Sequence, residues 1–97
     1  MSDFSVYYNK ATGAKEGYLL ATEFLQSSQA KSMFPVSIDF SFSNGDRPRI
    51  TGRGKGFEVT LLFNDQEVRV DLDLKFLLKP MKGKIIDTLT QEIKRVL

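Results

Sequence analysis

The chain has 97 residues, of which 41% are hydrophobic and 27% charged, and its formal net charge at pH 7 is +2. Residues 1–97 should form one globular domain with one modest core, since this size and composition exclude disordered and fibrous proteins. Cys and His are both absent, which excludes thiolate nucleophiles, zinc sites made of Cys and His, and proton transfer by imidazole. The small net charge does not indicate nucleic-acid binding, which usually requires a larger surplus of cations.

The sequence shows no targeting or membrane segment. Its start, Met1-Ser2-Asp3-Phe4, lacks a basic stretch followed by an apolar run, and no window holds 18 consecutive apolar residues. The absence of Cys fits a reducing compartment. We therefore expect a cytoplasmic protein without a transmembrane segment.

The first elements are predicted to be a strand and a helix. Phe4, Val6 and Tyr8 alternate with polar residues, which is typical of a half-buried strand. A helix should follow from Ala14 to about Ala30, with residue 12 or 13 as its N-cap and a loop around Pro35 after it. Its apolar stripe contains Ala14, Tyr18, Leu20, Ala21, Phe24 and Leu25.

A β-hairpin is predicted next, around Asn44-Gly45. The strand before it has the inward residues Val36, Ile38, Phe40 and Phe42. A two-residue loop would set Phe40 opposite Arg49, whereas a three-residue loop with a glycine bulge sets Phe40 opposite Ile50. We expect the three-residue loop, because it keeps one face apolar. The strand after the loop should span Arg47 to Lys55 and point Arg47, Arg49, Thr51, Arg53 and Lys55 outward.

Two more strands and a helix complete the predicted fold. The inward strand rows are Phe57, Val59, Leu61 and Phe63, then Val68, Val70, Leu72 and Leu74, with Leu62 pointing outward. After Pro80, which suits the first helical position, helical spacing returns at Met81, Ile85, Ile86, Leu89, Ile93, Val96 and Leu97. The order β-α-β-β-β-β-α predicts an α+β domain, in which both helices pack on one apolar face of a twisted antiparallel sheet.

The junction between the last strand and the last helix breaks local rules. Lys79, Lys82 and Lys84 crowd a helix N-terminus, where the helix dipole disfavours each cation by about 0.3–1 kcal/mol. Gly83 costs roughly 1 kcal/mol more than Ala in a helix. Rules broken together without a local gain indicate either a site or tertiary packing that the sequence does not show.

Two interpretations of this junction stay open. In the first, three successive apolar residues, Phe76, Leu77 and Leu78, and the lysines around them contact a lipid or polymer surface or an anion. In the second, Phe76 and Leu78 belong to the core, Leu77 packs beneath the first helix, and the last helix begins near Lys84. The candidate contact residues are Lys75, Phe76, Leu77, Leu78, Lys79, Met81, Lys82 and Lys84.

Other groups of residues favour ordinary structural roles. The glycines at 52, 54 and 56 lack the spacing of a phosphate-binding loop and indicate a hairpin turn. An alternative anion-binding strip, Arg47, Arg49, Arg53 and Lys55, shares its face with acidic residues that would cancel most of its field. Asp71 and Asp73 should lie about 7 Å apart on one strand, but an open polar face lacks the desolvation that a catalytic pair needs. We predict no catalytic residue, no metal site and no cofactor.

Three stretches carry a resemblance to a known family. They are Gly52-Arg53-Gly54-Lys55-Gly56-Phe57, Val68-Arg69-Val70-Asp71-Leu72, and residues 74–85. Through them the chain resembles the small bacterial polyhydroxyalkanoic acid system proteins over about residues 52–97. The resemblance implies a connection with polyhydroxyalkanoate storage granules and no catalytic residue set. The arrangement of helix on sheet is also similar to a short helix-grip domain, which implies an apolar ligand between sheet and helix.

We therefore expect a non-enzymatic accessory module that associates with a polyhydroxyalkanoate granule or another lipid or acyl surface. One alternative is a carrier that holds an apolar ligand between Phe40, Phe57, Leu72 and the last helix. A second alternative is a weak binder of nucleic acid or another polyanion through the arginine strip. A homo-oligomer is a further expectation, because the strand from Phe4 to Tyr8 should form a free sheet edge and Leu62 points outward.

Overall fold

The computed structural model describes residues 2–10, 13–27 and 37–97, and for residues 2, 3 and 76–78 it describes the backbone only. The predicted order of elements is confirmed. The elements are β1 (Ser2–Tyr7), α1 (Ala14–Leu25), β2 (Ile38–Ser43), β3 (Arg49–Gly54), β4 (Phe57–Phe63), β5 (Glu67–Leu74), a 3-10 helix (Phe76–Met81) and α2 (Lys82–Val96). The predictions that concern Thr12, Ala30 and the loop around Pro35 fall outside the described residues.

All five strands belong to one antiparallel sheet in the order β1-β5-β4-β3-β2. The first strand therefore pairs with the last, with Ser2 opposite Leu72 and Tyr7 opposite Glu67. This position confirms the prediction that the strand beginning near Phe4 lies at an edge of the sheet.

One face of the sheet carries the core. The alternation of the two central strands is fully realised, because Phe57, Val59, Leu61, Phe63, Val68, Val70, Leu72 and Leu74 are all buried. Helix α1 covers this face with Tyr18, Ala21 and Leu25, and α2 covers it with Ile85, Leu89 and Ile93. Full burial of such an aliphatic or aromatic side chain contributes roughly 1.5–3 kcal/mol, so this shared face is the main source of stability.

Helix α2 runs along the whole length of the sheet. It begins beyond the C-terminal end of β5, and its last residues are held at the opposite end, just after β1. There the Asn9 N–H donates to the Leu97 carbonyl oxygen at 2.9 Å, and the Asn9 side chain donates to the Lys94 carbonyl oxygen at 3.0 Å. Among the described residues, no helix is both long enough and apolar enough to span a membrane.

The predicted three-residue hairpin loop is wrong. Phe42 lies opposite Ile50 and Phe40 opposite Gly52, so the loop between β2 and β3 has five residues, Asn44–Pro48. Pro48 has no N–H to donate to β2, so pairing begins only at Arg49. The buried Pro48 instead accepts the Phe63 N–H through its carbonyl oxygen at 3.0 Å. The predicted and observed loops differ by two residues, and side chains alternate between the two faces with a period of two. The same side chains therefore stay on the apolar face despite the shift in register.

Three predicted boundaries also change. The strand expected from Arg47 to Lys55 is shorter, because Arg47, Pro48 and Lys55 lie in the loops that flank β3. Helix α1 ends at Leu25 rather than near residue 30, and the Ser27 hydroxyl donates to the Phe24 carbonyl oxygen, a local bond that competes with helix continuation. Pro80 is not the first α-helical residue but lies within the 3-10 helix, and α2 begins at Lys82.

Candidate surface-binding site

The junction from Lys75 to Lys84, here called the basic corner, contains the 3-10 helix that joins β5 to α2, together with the first residues of α2. Lys75 has an extended backbone, with φ −71° and ψ 165°, and the 3-10 helix follows directly. The Lys75 N–H donates to the Gly56 carbonyl oxygen at 2.9 Å. The corner is thereby joined to the turn between β3 and β4.

The four lysines of the basic corner, Lys75, Lys79, Lys82 and Lys84, are all exposed. No acidic residue occurs in the first turn of the 3-10 helix or of α2. Met81 differs from the lysines, because its side chain is half-buried and packs against the core. The corner is therefore cationic on its outside and anchored to the core by at least one apolar residue.

The predicted contact residues Phe76, Leu77 and Leu78 lie within the 3-10 helix. Their side chains are outside the described part of the structure, so their assignment to a surface or to the core stays a prediction. The α-helix starts between the two positions that the sequence suggested, Pro80 and Lys84.

The predicted arginine strip follows β3 and its two flanking loops, with Arg47 and Arg49 at one end and Arg53 and Lys55 at the other. Arg49 and Arg53 stand four residues apart on β3, which corresponds to about 13 Å between their Cα atoms. Arg47 precedes β3 and Lys55 follows it, and all four side chains are exposed. Arg53 approaches the Glu58 carboxylate at 3.8 Å, a contact of little energetic weight on an exposed surface. Anion binding by these four side chains stays a prediction.

The predicted hairpin turn is confirmed after Gly54, whereas Gly52 lies within β3. Gly54 pairs with Phe57, which leaves Lys55 and Gly56 as a two-residue turn. Gly56 has φ 75°, a left-handed conformation that glycine adopts without steric cost. Beside this turn lies a polar recess of about 170 Å³, to which Arg53, Glu58, Asp73 and Lys75 contribute.

The predicted carboxylate pair lies on the face of the sheet that points away from the two helices. Asp73 is exposed and Asp71 is half-buried. Asp71 pairs with Thr60, and Asp73 pairs with Glu58. Among the described residues, no three His, Cys, Asp or Glu side chains are arranged to hold a metal ion.

A small apolar cavity lies between the two helices and the sheet. Its volume is about 30 Å³, and its lining includes Phe24, Leu61 and Leu89. Sites for small ligands usually measure about 300–1,000 Å³, so this cavity is about ten times too small for one. The residues that the carrier alternative names, Phe40, Phe57 and Leu72, do not line it.

One feature of the surface was not visible in the sequence. The closeness of Lys55 to the basic corner results from strand pairing and a backbone hydrogen bond, for which local patterns give no signal. Leu19 on α1 is 60% exposed, which agrees with its position outside the apolar stripe of that helix. Leu62 points outward as predicted and lies between Arg49 and Arg69 in the strand register.

The fold and the corner together define a small α+β domain with an exposed basic surface at one end of its sheet. The model of the family described as polyhydroxyalkanoic acid system protein matches residues 20–97, most of the chain. The chain belongs to this family. The match starts well before Gly52, so it also includes the hairpin and the second half of α1, beyond the stretches that carried the resemblance. No curated protein and no solved structure matches the chain significantly.

Proposed function

We propose that the protein is a non-enzymatic accessory module that associates with polyhydroxyalkanoate granules, or with another lipid or acyl surface, through its basic corner. The observation that carries the proposal is the exposure of Lys75, Lys79, Lys82 and Lys84 around a run of three apolar residues. Membership of a family named for the polyhydroxyalkanoic acid system supports the choice of partner. A cytoplasmic location is part of the proposal.

The physical basis is a combination of apolar and cationic groups in one segment. Each lysine near an anionic surface contributes roughly 1 kcal/mol, and apolar side chains that enter the surface add about 25 cal/mol per Å² removed from water. The expected binding is therefore weak and reversible, and it falls as salt screens the lysines.

The non-enzymatic part of the proposal rests on the chemistry of the chain. His and Cys are absent from the sequence. Asp73 is exposed on the outer face of the sheet while Asp71 is half-buried there, so the two carboxylates do not share a desolvated cleft. The cavity beneath the helices, at about 30 Å³, supports the surface association over the carrier alternative.

Co-sedimentation with isolated polyhydroxyalkanoate granules tests the proposal. The double variant Leu77→Asp with Lys79→Ser introduces a charge into the apolar run and removes a lysine, so it should sediment far less than the parent. A matched control is Leu19→Asp with Lys15→Ser, which makes the same change in charge at exposed positions of α1. The control should sediment like the parent, and equal loss in both variants would contradict the proposed site.

A second variant guards against the case in which Leu77 is a core residue. Lys79→Ser with Lys82→Ser leaves the apolar run intact and alters only exposed side chains, so folding should be unaffected. Circular dichroism checks the fold of every variant. If this lysine variant folds and binds granules as tightly as the parent, or if the parent does not bind, the proposal is wrong.

A further inference from the structure

Two basic segments that are distant in the sequence meet at one end of the sheet. Lys55 is exposed in the turn between β3 and β4, and Lys75 is exposed directly after β5. The hydrogen bond from the Lys75 N–H to the Gly56 carbonyl oxygen, at 2.9 Å, holds the turn against the basic corner. These segments form one surface, here called the lysine end, which comprises Lys55, Lys75, Lys79, Lys82 and Lys84.

The direction of α2 makes the lysine end a terminal surface of the molecule. The helix leaves this end and returns along the sheet to the region after β1, where Asn9 binds the carbonyl oxygen of Leu97. Because Cα–Cβ bonds lean toward the N-terminus of a helix, the side chains of Lys82 and Lys84 lean back toward the lysine end. The strands meet the same surface with their ends.

The lysine end carries a local surplus of positive charge. From Leu74 to Ile86 the sequence contains four lysines and no acidic residue. Glu58 and Asp73 lie opposite each other in the strand register, on the outer face of the sheet. The Glu58 carboxylate oxygen Oε2 lies 3.8 Å from Arg53 Nε. These carboxylates line the same recess as Arg53 and Lys75 and offset part of the charge there. The surplus comes from the exposed residues Lys55, Lys79, Lys82 and Lys84.

We propose that the lysine end docks onto an anionic phospholipid surface with the strands pointing end-on, and that the hairpin residue Lys55 belongs to the contact. This inference rests on the proposed surface association and specifies its partner as the headgroup phosphates of lipid. Lysine ammonium groups act as point charges on flexible stems and need no fixed geometry to bind phosphate. Such a cluster suits a fluid layer of anionic headgroups, which attracts basic segments by charge.

Vesicle binding of the full chain tests this contact. On phosphatidylglycerol vesicles at low salt, Lys55→Gln with Lys75→Gln should lower the affinity roughly 25-fold, since each lysine near such a surface contributes roughly five-fold. The matched control is Arg47→Gln with Arg49→Gln, which removes the same charge at the other end of β3 and should change affinity less than two-fold.

Each result decides between distinct explanations. Equal losses in the two double variants would show that only net charge matters and would overturn the docking surface. Binding of the parent to phosphatidylcholine vesicles as tight as to phosphatidylglycerol would overturn the anionic partner, although the granule association could still hold through the apolar run. Tighter binding to an oligonucleotide than to either vesicle would replace lipid by nucleic acid as the partner. If the parent binds granules but no vesicle, this inference fails alone, and if it binds neither, the proposed function fails too.

Discussion

Phe40 and Gly52 lie directly opposite each other on β2 and β3, and the phenylalanine ring covers the glycine. A Cβ atom at position 52 would lie 2.7 Å from Phe40 Cε1 and 3.0 Å from Ile38 Cγ2. Gly52 is buried on the same face as the core. The ring therefore occupies the space that a side chain would need, and the edge strand β2 packs its aromatic residue on the backbone of β3.

Replacement Gly52→Ala should destabilise the protein by about 1–3 kcal/mol, the usual cost of overpacking a filled site. Urea denaturation measures the change in the free energy of unfolding. In a Phe40→Ala background the same substitution should cost much less, because the clashing ring is gone. An equal cost in both backgrounds would contradict the packing of Phe40 on Gly52.

Gly83 presents the opposite situation. It lies in the first turn of α2, is exposed, and a Cβ atom there would have no neighbour within 4 Å. Gly83→Ala should therefore raise the free energy of unfolding by about 0.4–1 kcal/mol, since alanine reduces the entropy of the unfolded chain without strain. Thermal unfolding reads out the gain. A loss of stability would indicate that position 83 makes a contact that the structure does not show.

Position 56 requires a glycine for a different reason. Gly56 has φ 75° in the turn that meets the basic corner. Gly56→Ala should cost roughly 1–2 kcal/mol, because a Cβ atom disfavours left-handed backbone, whereas Gly56→Asn should cost less, since Asn tolerates this conformation. Urea denaturation of both variants checks the order, and equal stability of parent and Gly56→Ala would contradict the turn geometry.

The face of each strand and the order of elements could be predicted from the sequence, but the register of β2 could not. Alternation at Phe40 and Phe42 determines which side chains point inward and leaves the pairing free to slide by two residues. The five-residue loop depends on Pro48, whose carbonyl group bonds to Phe63 on a third strand. Such a tertiary contact has no local sequence signal.

The candidate site could also be predicted only in part from the sequence. The lysines of the basic corner and its apolar run could be found from the sequence because they break helix rules within a few residues. The 3-10 helix could not, since the chain adopts it to turn from the end of β5 into α2. The hydrogen bond between Lys75 and Gly56 could not be predicted either. These two residues are brought together by the pairing of β4 with β5, in which Phe57 lies opposite Leu74.

Tyr8 should make stability fall at high pH. Its hydroxyl donates to the Asn64 carbonyl oxygen at 2.8 Å, and burial, together with the charges of Asp65 and Glu67, raises its pKa from 10.0 to about 12. The unfolded chain therefore loses this proton first, so the contribution is complete below pH 10 and declines between pH 10 and about 12.

The variant Tyr8→Phe isolates this effect. It should lower the free energy of unfolding at neutral pH by about 1 kcal/mol through loss of the hydrogen bond. The difference in stability between parent and variant should then shrink as pH rises above 10. Urea denaturation at several pH values gives both curves, and a difference that does not depend on pH would contradict the raised pKa.

In the proposed association, the basic corner faces the granule and the opposite end of the sheet does not. The chain has no Cys, so Lys79→Cys and Arg47→Cys each provide a single attachment point for a polarity-sensitive fluorophore at an exposed position. When isolated granules are added, the label at 79 should shift its emission to the blue while the label at 47 stays unchanged. No shift at 79, or equal shifts at both positions, would contradict granule binding through the basic corner.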